Sequence, residues 1–416
     1  MVSPFMPDPE KIAAVRELLP ATGAGIYLNA GTAGPMPAET QRAMDDQAAR
    51  ELAIGRASPD QFPMILERMA EARASLAAIL VADPDDIALT HSTSDGMNAL
   101  VNALPWQVGD RVITTRHEHP GGIGALLALR ERLGVEVVFL DLGDGGDEAL
   151  ILDAFAVALA RPARAVVFSH VLWTTGAVLP VARIGALAAA AGVACIVDGA
   201  QAAGAIPVRV EELNVDGYAF PGQKWLLGPE GMGALWARRA WATSVVPASA
   251  GYLAYQAFDA RQPVLHPNAR RFEATNFHRP SIVGLARSCG WVTMYVGLNW
   301  ALARAGTLAG ATADRLAGIP GVTLVTPRHA MGTLVTFRIS GWPAAAALDE
   351  LGARAFAIIR DLPAIDAIRI SVGFWNTGEE LERFASVVEL LASHTPASIP
   401  PRRRLLVLGS DDSPLR

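Results

Sequence analysis

From residue 65 to residue 240 the chain alternates short apolar runs, often β-branched, with longer segments rich in Ala and Leu. The short runs have the length and composition of buried strands, and the longer segments have those of helices. The predicted strands span residues 87–90, 111–115, 136–140, 165–169, 193–197, 215–220 and 233–236. The predicted helices span residues 63–80, 96–104, 121–133, 149–160 and 181–191. This order predicts an α/β fold in which helices cover both faces of a mostly parallel sheet.

After residue 280 the pattern changes. The predicted elements are a helical region over 281–316, strands at 322–325, 332–339 and 368–372, and helices at 343–351 and 379–391. They indicate a small C-terminal α+β domain. We therefore predict an N-terminal segment at 1–26 that packs with the small domain, a large domain at 27–280, the small domain at 281–396 and a flexible tail at 397–416.

Composition narrows the class of protein. Hydrophobic residues make up 51% of the 416 residues and charged residues 18%, and the net charge is −6. Such a chain can form a large core, and its mild acidity argues against nucleic-acid binding. The uncharged, apolar stretch at residues 165–182 contains His170 and Pro180 and is not typical of a membrane span. The two cysteines, Cys195 and Cys289, indicate no disulfide framework, and the N-terminus lacks the pattern of a signal peptide, so a cytoplasmic location is expected.

Lysine is rare in this chain. Of the 35 basic residues, 33 are Arg and only Lys11 and Lys224 are Lys. Arg cannot act as an amine nucleophile, whereas Lys can form a Schiff base. Lys11 begins a predicted N-terminal helix and is expected to be solvated. Lys224 lies in a Gly-rich and apolar loop after a predicted strand, which favours a chemical role over a plain surface position.

Polar residues follow several of the predicted strands, where open parallel sheets bind their ligands. Asp198 ends an apolar strand, so its carboxylate needs a cation or a hydrogen-bond donor, unless it caps a helix. Residues 91–98 open a helix with hydroxyl side chains, which is typical of an anion site, unless Ser92 or Thr93 is a plain N-cap.

Two other interpretations are weak. His117 and His119 follow the strand at 111–115, but no third metal ligand is evident, so no metal site is expected. The Gly-rich stretch at 27–35 is not followed directly by a predicted helix, which argues against a nucleotide-binding loop.

Several motifs occur together in the order of one known family. They lie at residues 27–35, 91–98, 117–122, 169–176, 198–201, 216–233, 270–276 and 369–380. From about residue 27 to residue 391 the chain resembles the class V aminotransferase family, which are pyridoxal-phosphate enzymes of fold type I. That family includes cysteine desulfurases, cystine and cysteine carbon–sulfur lyases and isopenicillin N epimerase. The resemblance implies a seven-stranded sheet, pyridoxal phosphate as cofactor, an amino acid as substrate and a homodimer with shared active sites.

The resemblance also implies roles in cofactor binding. Lys224 would form the Schiff base, Asp198 would pair with the pyridine nitrogen, and His119 would stack on the ring. A carboxylate at that nitrogen keeps it protonated, so that the ring can accept electrons from Cα. The other cofactor-binding residues implied are Thr93, Ser94, Gln201, Gln223 and, from the second subunit, Thr275 or Asn276. The family often has Ser-Gly-His before the lysine, where this chain has Pro-Gly-Gln. This chain therefore lacks one serine hydroxyl that would contact the phosphate.

At the substrate end, the resemblance places Asn29 and Gly31 near the α-carboxylate and implies that Arg369 binds it. The planar guanidinium group matches a carboxylate. Trp173 stands where many relatives have Asn, close to the cofactor and the substrate.

The segment at 360–369 bears on the reaction. Desulfurases carry a nucleophilic Cys just before the C-terminal Arg, and this segment has none. The chain is most similar to cystine and cysteine lyases, so the expected reaction is β-elimination to pyruvate, ammonia and sulfur species. An aminotransferase or an amino-acid epimerase is the alternative within the family. A catalytically silent binding protein with the same fold is the alternative of another class.

Overall fold

The computed structural model describes residues 8–57, 59, 61–259, 261–274 and 276–402. The strands are β1 Ile26–Tyr27, β2 Ile87–Thr90, β3 Arg111–Thr115, β4 Glu136–Leu140, β5 Ala165–Ser169, β6 Ala194–Asp198, β7 Gly217–Pro221, β8 Gly233–Ala237, β9 Tyr255–Ala257, β10 Val264–Leu265, β11 Val322–Leu324, β12 Leu334–Ile339, β13 Ala357–Ile358, β14 Arg360–Leu362 and β15 Ala367–Ser371. The helices are α1 Asp8–Glu17, α2 Ala38–Ile54, α3 Gln61–Leu80, α4 Thr93–Asn102, α5 Pro120–Leu133, α6 Glu148–Leu159, α7 Val181–Ala190, α8 Arg239–Ser244, α9 Arg279–Gly290, α10 Leu298–Ala317, α11 Ala344–Ala355 and α12 Gly378–Ala392.

The larger sheet confirms the predicted fold class. Within the described residues it has seven strands in the order β2-β8-β7-β6-β5-β3-β4. All neighbours from β7 to β4 are parallel, and β8 runs antiparallel to both of its neighbours. The carboxyl ends of β3, β5, β6 and β7 therefore meet at one edge of the sheet, where the sequence predicts the chemistry.

Burial on both faces explains why these strands are continuously apolar. Along β5 and β6, Val166 and Val197 belong to the core on one face, whereas Val167 and Ile196 belong to the core on the other. Successive side chains of a strand point to opposite faces, so both faces of this sheet are covered. Helices α4 and α5 pack on one face, and α6 and α7 pack on the other.

The C-terminal elements build a second sheet, with the order β11-β12-β15-β14 and antiparallel pairing throughout. Side chains of α10, α11 and α12 form its core. The predicted helical region at 281–316 is divided into α9, a π-helical stretch at Trp291–Gly297, and α10. Gly297 has a φ of 87°, which interrupts the helix and is favourable only for glycine.

The N-terminal segment contacts these C-terminal elements. Strand β1 pairs with β13, and the guanidinium group of Arg16 in α1 lies 2.7 Å from a carboxylate oxygen of Glu380. The prediction that Lys11 is solvated is wrong: it is 3% exposed, and its Nζ lies 4.1 Å from the ring centroid of Trp300. The ammonium group lies over the face of the Trp300 ring, and this cation–π contact cannot be predicted from the sequence pattern around α1.

The division into four segments stays a prediction. Of the predicted flexible tail, residues 403–416 lie outside the described residues. Arg402 lies inside them, and its guanidinium group is 3.0 Å from a carboxylate oxygen of Glu350 in α11. Among the described helices none is long and apolar enough to cross a bilayer.

Candidate active site

The carboxyl ends of β3, β5, β6 and β7 open into a pocket that also receives the first turns of α4 and α5. Ten residues predicted for the site line it: Gly31, Thr93, Ser94, His119, Trp173, Asp198, Gln201, Gln223, Lys224 and Arg369. The pocket is also lined by residues for which the sequence predicted no individual binding role or, for Ser92, only an alternative one: Thr32, Ser92, Gly121, Gly122, Ser169, Val171, Ala200, Pro221 and Arg360.

Lys224 lies in the tight turn after β7, in the wall of this pocket. Burial lowers the pKa of its amine to about 8, and the cations of Arg369 and Arg360 add to this effect while Asp198 opposes it. A lysine with such a pKa is partly neutral near physiological pH, and the neutral amine is the nucleophilic form.

Asp198 is buried at the end of β6. Its Oδ1 accepts a hydrogen bond of 2.8 Å from the Ala200 amide. Turns follow it instead of a helix, so the helix N-cap alternative is wrong. Burial raises the pKa of this carboxyl, and the positive charge of Lys224 opposes the shift. A buried carboxylate of this kind is stabilised by a cationic partner.

The first turn of α4 has the features expected of an anion site. Ser92 is the N-cap, because its hydroxyl oxygen accepts a hydrogen bond of 3.1 Å from the Asp95 amide. The Thr93 hydroxyl is buried and has no hydrogen-bond partner in the described part of the chain. The first turn of α5 lies close by, since a Cβ at Gly121 would be 2.5 Å from the Ser94 hydroxyl oxygen. Helix amides and hydroxyls in this arrangement bind phosphate groups.

His119 is the N-cap of α5, and this contact sets its tautomer. The Gly121 amide donates to Nδ1 at 3.1 Å, so the ring proton is carried by Nε2. Burial lowers the pKa of His119 to about 4, and the cations of Lys224, Arg360 and Arg369 contribute. The ring is therefore a neutral imidazole, and it lies edge-on to Trp173 with a centroid distance of 5.1 Å.

The described ranges contain no group of three or more His, Cys, Asp or Glu side chains that could hold a metal ion. The Nδ1 atom of His117 instead lies 3.3 Å from the Thr174 hydroxyl oxygen.

Gln201 links two walls of the pocket. Its Nε2 donates to the Gly31 carbonyl at 2.8 Å, and its Oε1 accepts from the Trp225 indole at 3.0 Å. Gly31 is required at its position, because a Cβ there would lie 2.8 Å from the Ser371 hydroxyl oxygen and 2.9 Å from Nη2 of Arg369. These bonds hold the loop at Gly31 against the turns that follow β6 and β7.

Two arginines face the pocket from the C-terminal sheet. Arg369 is 1% exposed, and its Nη1 donates to the Trp173 carbonyl at 2.9 Å. Its Nε and Nη2 have no partner within the ranges that the structure describes, and burial, with the nearby Arg360, lowers its pKa to about 9. The guanidinium carbon of Arg360 lies 5.7 Å from the ring centroid of Trp173. The pocket thus holds unsatisfied donors for a carboxylate.

Two of the predicted residues, Asn29 and Asn276, do not line this pocket. Asn29 accepts a hydrogen bond of 2.9 Å from the Thr32 hydroxyl, so it shapes the loop instead of lining the site. Asn276 is exposed and accepts a hydrogen bond from the Tyr252 hydroxyl. Thr275 lies outside the described residues. A contribution from a second subunit therefore stays a prediction.

The residues present fit the cofactor implied by the resemblance. The unpartnered Thr93 hydroxyl at a helix N-terminus suits a phosphate, and the buried Asp198 suits a protonated ring nitrogen. Lys224 supplies an amine for an aldehyde carbon.

Sequence comparisons support the same interpretation. The family model described as aminotransferase class-V matches residues 26–384. The isopenicillin N epimerase of Streptomyces clavuligerus is 28% identical over 384 residues, which cover 88% of this chain and 94% of the relative. A probable cysteine desulfurase of Methanothermobacter thermautotrophicus is 26% identical over 395 residues, which cover 91% of this chain and 97% of the relative.

Solved structures show a similar fold. The cystine C–S lyase C-DES, in complex with its reaction product cysteine persulfide, gives a TM-score of 0.84 at 25% identity, over 91% of this chain and all of that one. A C-DES mutant with glycine covalently linked to its pyridoxal phosphate cofactor gives 0.83 at 25% identity, over 90% and 98%.

Proposed function

This chain belongs to the class-V aminotransferase family of pyridoxal-phosphate enzymes, and we propose that it is a β-eliminating carbon–sulfur lyase. The proposed substrates are cystine, cysteine or a related β-substituted amino acid. The proposed products are pyruvate, ammonia and a sulfur species; for cystine the sulfur species is cysteine persulfide.

The placement of the two cysteines carries this proposal. Cys195 lies in β6 and Cys289 in α9, and both are buried away from the pocket. Burial raises the pKa of Cys289 to about 12 and that of Cys195 further, so neither forms a thiolate readily. Direct transfer of sulfur to a protein thiolate needs a reactive Cys at the substrate. From a sulfur-containing substrate, the sulfur would therefore depart as the leaving group.

The pair of arginines supports a substrate with two carboxylates. Arg369 and Arg360 both line the pocket, and each planar guanidinium group can bind one carboxylate with two parallel hydrogen bonds. Cystine carries a carboxylate at each end. We propose that Arg369 binds the α-carboxylate next to the reacting carbon and that Arg360 binds the distant one.

Lys224 is the proposed general base. Its amine takes the proton from Cα, because burial leaves much of it neutral near pH 8. When bound, pyridoxal phosphate would supply an electron sink for the Cα carbanion. Asp198 would hold a proton at the ring nitrogen, and the neutral His119 would cover the ring. The Cβ–S bond then breaks, and the departing sulfur takes up a proton that Lys224 can return.

An assay without added keto acid tests the proposal. The purified holoenzyme is given cystine, cysteine and other amino acids while pyruvate, ammonia and sulfur species are measured. Pyruvate formed from cystine without a keto acid supports a lyase. Amine transfer that requires a keto acid, or stereoinversion without pyruvate, would identify an aminotransferase or an epimerase instead.

We also propose a homodimer with shared active sites. The exposed Asn276 and Tyr252 lie outside the pocket of their own subunit, where a second subunit can approach them. Light scattering of the holoenzyme measures the assembly, and a monomer with full activity would contradict it. A cytoplasmic location stays a prediction.

A further inference from the structure

Glu118 is a buried carboxyl group that the proposed reaction does not use. It lies in the short loop between β3 and α5, immediately before His119. The Thr115 hydroxyl donates to its Oε1 at 2.6 Å, and the Ser169 hydroxyl donates to its Oε2 at 2.5 Å. Thr115 ends β3 and Ser169 ends β5, so one side chain joins the carboxyl ends of two neighbouring strands.

The surroundings of Glu118 favour its neutral form. Burial raises its pKa to about 7; the hydroxyl groups of Ser169 and Thr115 oppose this shift, and the charge of Asp198 adds to it. Asp198 is the charged group that acts on Glu118 from the neighbouring strand β6. Two carboxyl groups in one buried region cannot both ionise readily, and one of them then keeps a proton.

Both hydroxyl contacts are compatible with a protonated Glu118. A hydroxyl group can donate one hydrogen bond and accept another, so the acid proton can be shared with either partner. The two contacts can therefore persist in both charge states, and they favour the ionised carboxylate, which accepts both hydrogen bonds. Protonation of Glu118 changes the charge behind the pocket while both contacts can remain.

We propose that Glu118 is a positioning residue for the reacting centre. Its carboxyl group fixes the loop of His119 against the ends of β3 and β5, and in its neutral form it adds no negative charge behind the pocket. Of the two carboxyl groups in this part of the described chain, Asp198 is then the one that carries the negative charge towards the cofactor. This proposal rests on cofactor binding at Asp198 and is independent of which reaction follows.

The test compares the wild-type holoenzyme with Glu118→Gln, Glu118→Ala and Thr115→Val. The visible absorption of the bound cofactor is followed from pH 5.5 to 9, together with kcat, KM and the midpoint of thermal unfolding. Glu118→Gln preserves the shape and the hydrogen bonds but cannot ionise. Thr115→Val preserves the shape and removes one hydrogen-bond donor to the carboxylate.

We expect a spectral step near pH 7 in the wild type that is absent in Glu118→Gln. In Thr115→Val the step should move to higher pH, because the ionised carboxylate has lost a donor. Glu118→Ala should lower kcat about 10- to 100-fold through misplacement of His119, with little change in KM. Glu118→Gln should lose less than Glu118→Ala.

Four results would overturn the proposal: a wild type without the step, a step that persists in Glu118→Gln, an unmoved step in Thr115→Val, or variants that differ from wild type only in unfolding midpoint. If Glu118→Gln fails to fold, the shift in Thr115→Val decides alone. Because the spectrum is read without turnover, failure of the lyase assignment does not affect this test.

Discussion

Arg360 of β14 lies directly opposite Arg369 of β15 in the antiparallel register of the C-terminal sheet. Opposite residues of an antiparallel pair project from the same face, and like charges in this position destabilise a sheet. The lowered pKa of Arg369 reflects this repulsion as well as its burial. Carboxylates bound between the two guanidinium groups would relieve it, which is the arrangement expected of a site for an anionic substrate.

Substitution of Arg360 should therefore distinguish substrates with two carboxylates from substrates with one. In Arg360→Ala, kcat/KM for cystine should fall about 10- to 150-fold, the cost of losing a charged hydrogen bond. Cysteine has no second carboxylate and should be affected much less. The exposed Arg338 of β12 lies outside the pocket, so Arg338→Ala is the matched control. Equal losses for cystine and cysteine would contradict a role for Arg360 at the distant carboxylate.

Lys224 should be the point of covalent attachment. Borohydride reduction of the holoenzyme should fix the cofactor to the peptide that contains Lys224, as measured by mass spectrometry. Only one other lysine exists, Lys11, which makes the assignment unambiguous. Lys224→Ala should lose the visible band and all turnover, whereas Lys11→Met should keep both. Label on the Lys11 peptide would refute the prediction.

Asp198→Asn should slow removal of the Cα proton. The amide preserves the shape and can still accept the Ala200 hydrogen bond, but it no longer keeps the ring nitrogen protonated. Loss of such an electrostatic contact costs about 10²- to 10³-fold. Exchange of the Cα hydrogen with solvent deuterium measures the step without requiring elimination. Exchange at the wild-type rate would exclude this role.

His119 should stay neutral throughout the working range. Its pKa of about 4 means that it gains a second ring proton only near pH 4, well below the usual range for histidine. Nitrogen NMR of the labelled holoenzyme should show Nε2 protonated and Nδ1 unprotonated from pH 5.5 to 9. The chain has eight histidines, so the signal is assigned by its loss in His119→Gln. A signal lost in that variant that titrates near pH 6.5 would contradict the prediction.

The sequence was sufficient to predict that the residues at the strand ends lie together in the pocket. Asp198 and Lys224 follow apolar runs of clear length, and the ends of parallel strands gather at one edge of the sheet. The pattern did not predict Arg360, because β14 has three residues and its pairing opposite Arg369 is a tertiary register. Helix α2 was also missed, since only Thr40 is buried along its length and it therefore lacks a marked apolar face.

Contacts with residues distant in sequence explain the other differences between the prediction and the structure. Lys11 is covered by Trp300, which belongs to α10, and no local pattern around Lys11 indicates such a partner. In the sequence, Glu118 is distinguished only by its position before His119, so no role could be predicted for it. Its contacts depend on β3 and β5 lying side by side, which follows from the strand order and not from the residues near it.

The hydrogen bond between the loop at Gly31 and β15 can form only late in the synthesis of the chain. The Gly31 amide donates to the Ser371 hydroxyl at 3.0 Å, and these residues are 340 positions apart. At about 5 to 20 residues per second, a ribosome needs roughly 20 to 70 s to make the intervening chain. During that time the seven strands of the described sheet can pair, but the loop at Gly31 cannot yet bind Ser371. The proposed binding site for the substrate carboxylate is thus among the last parts of the nascent protein to form.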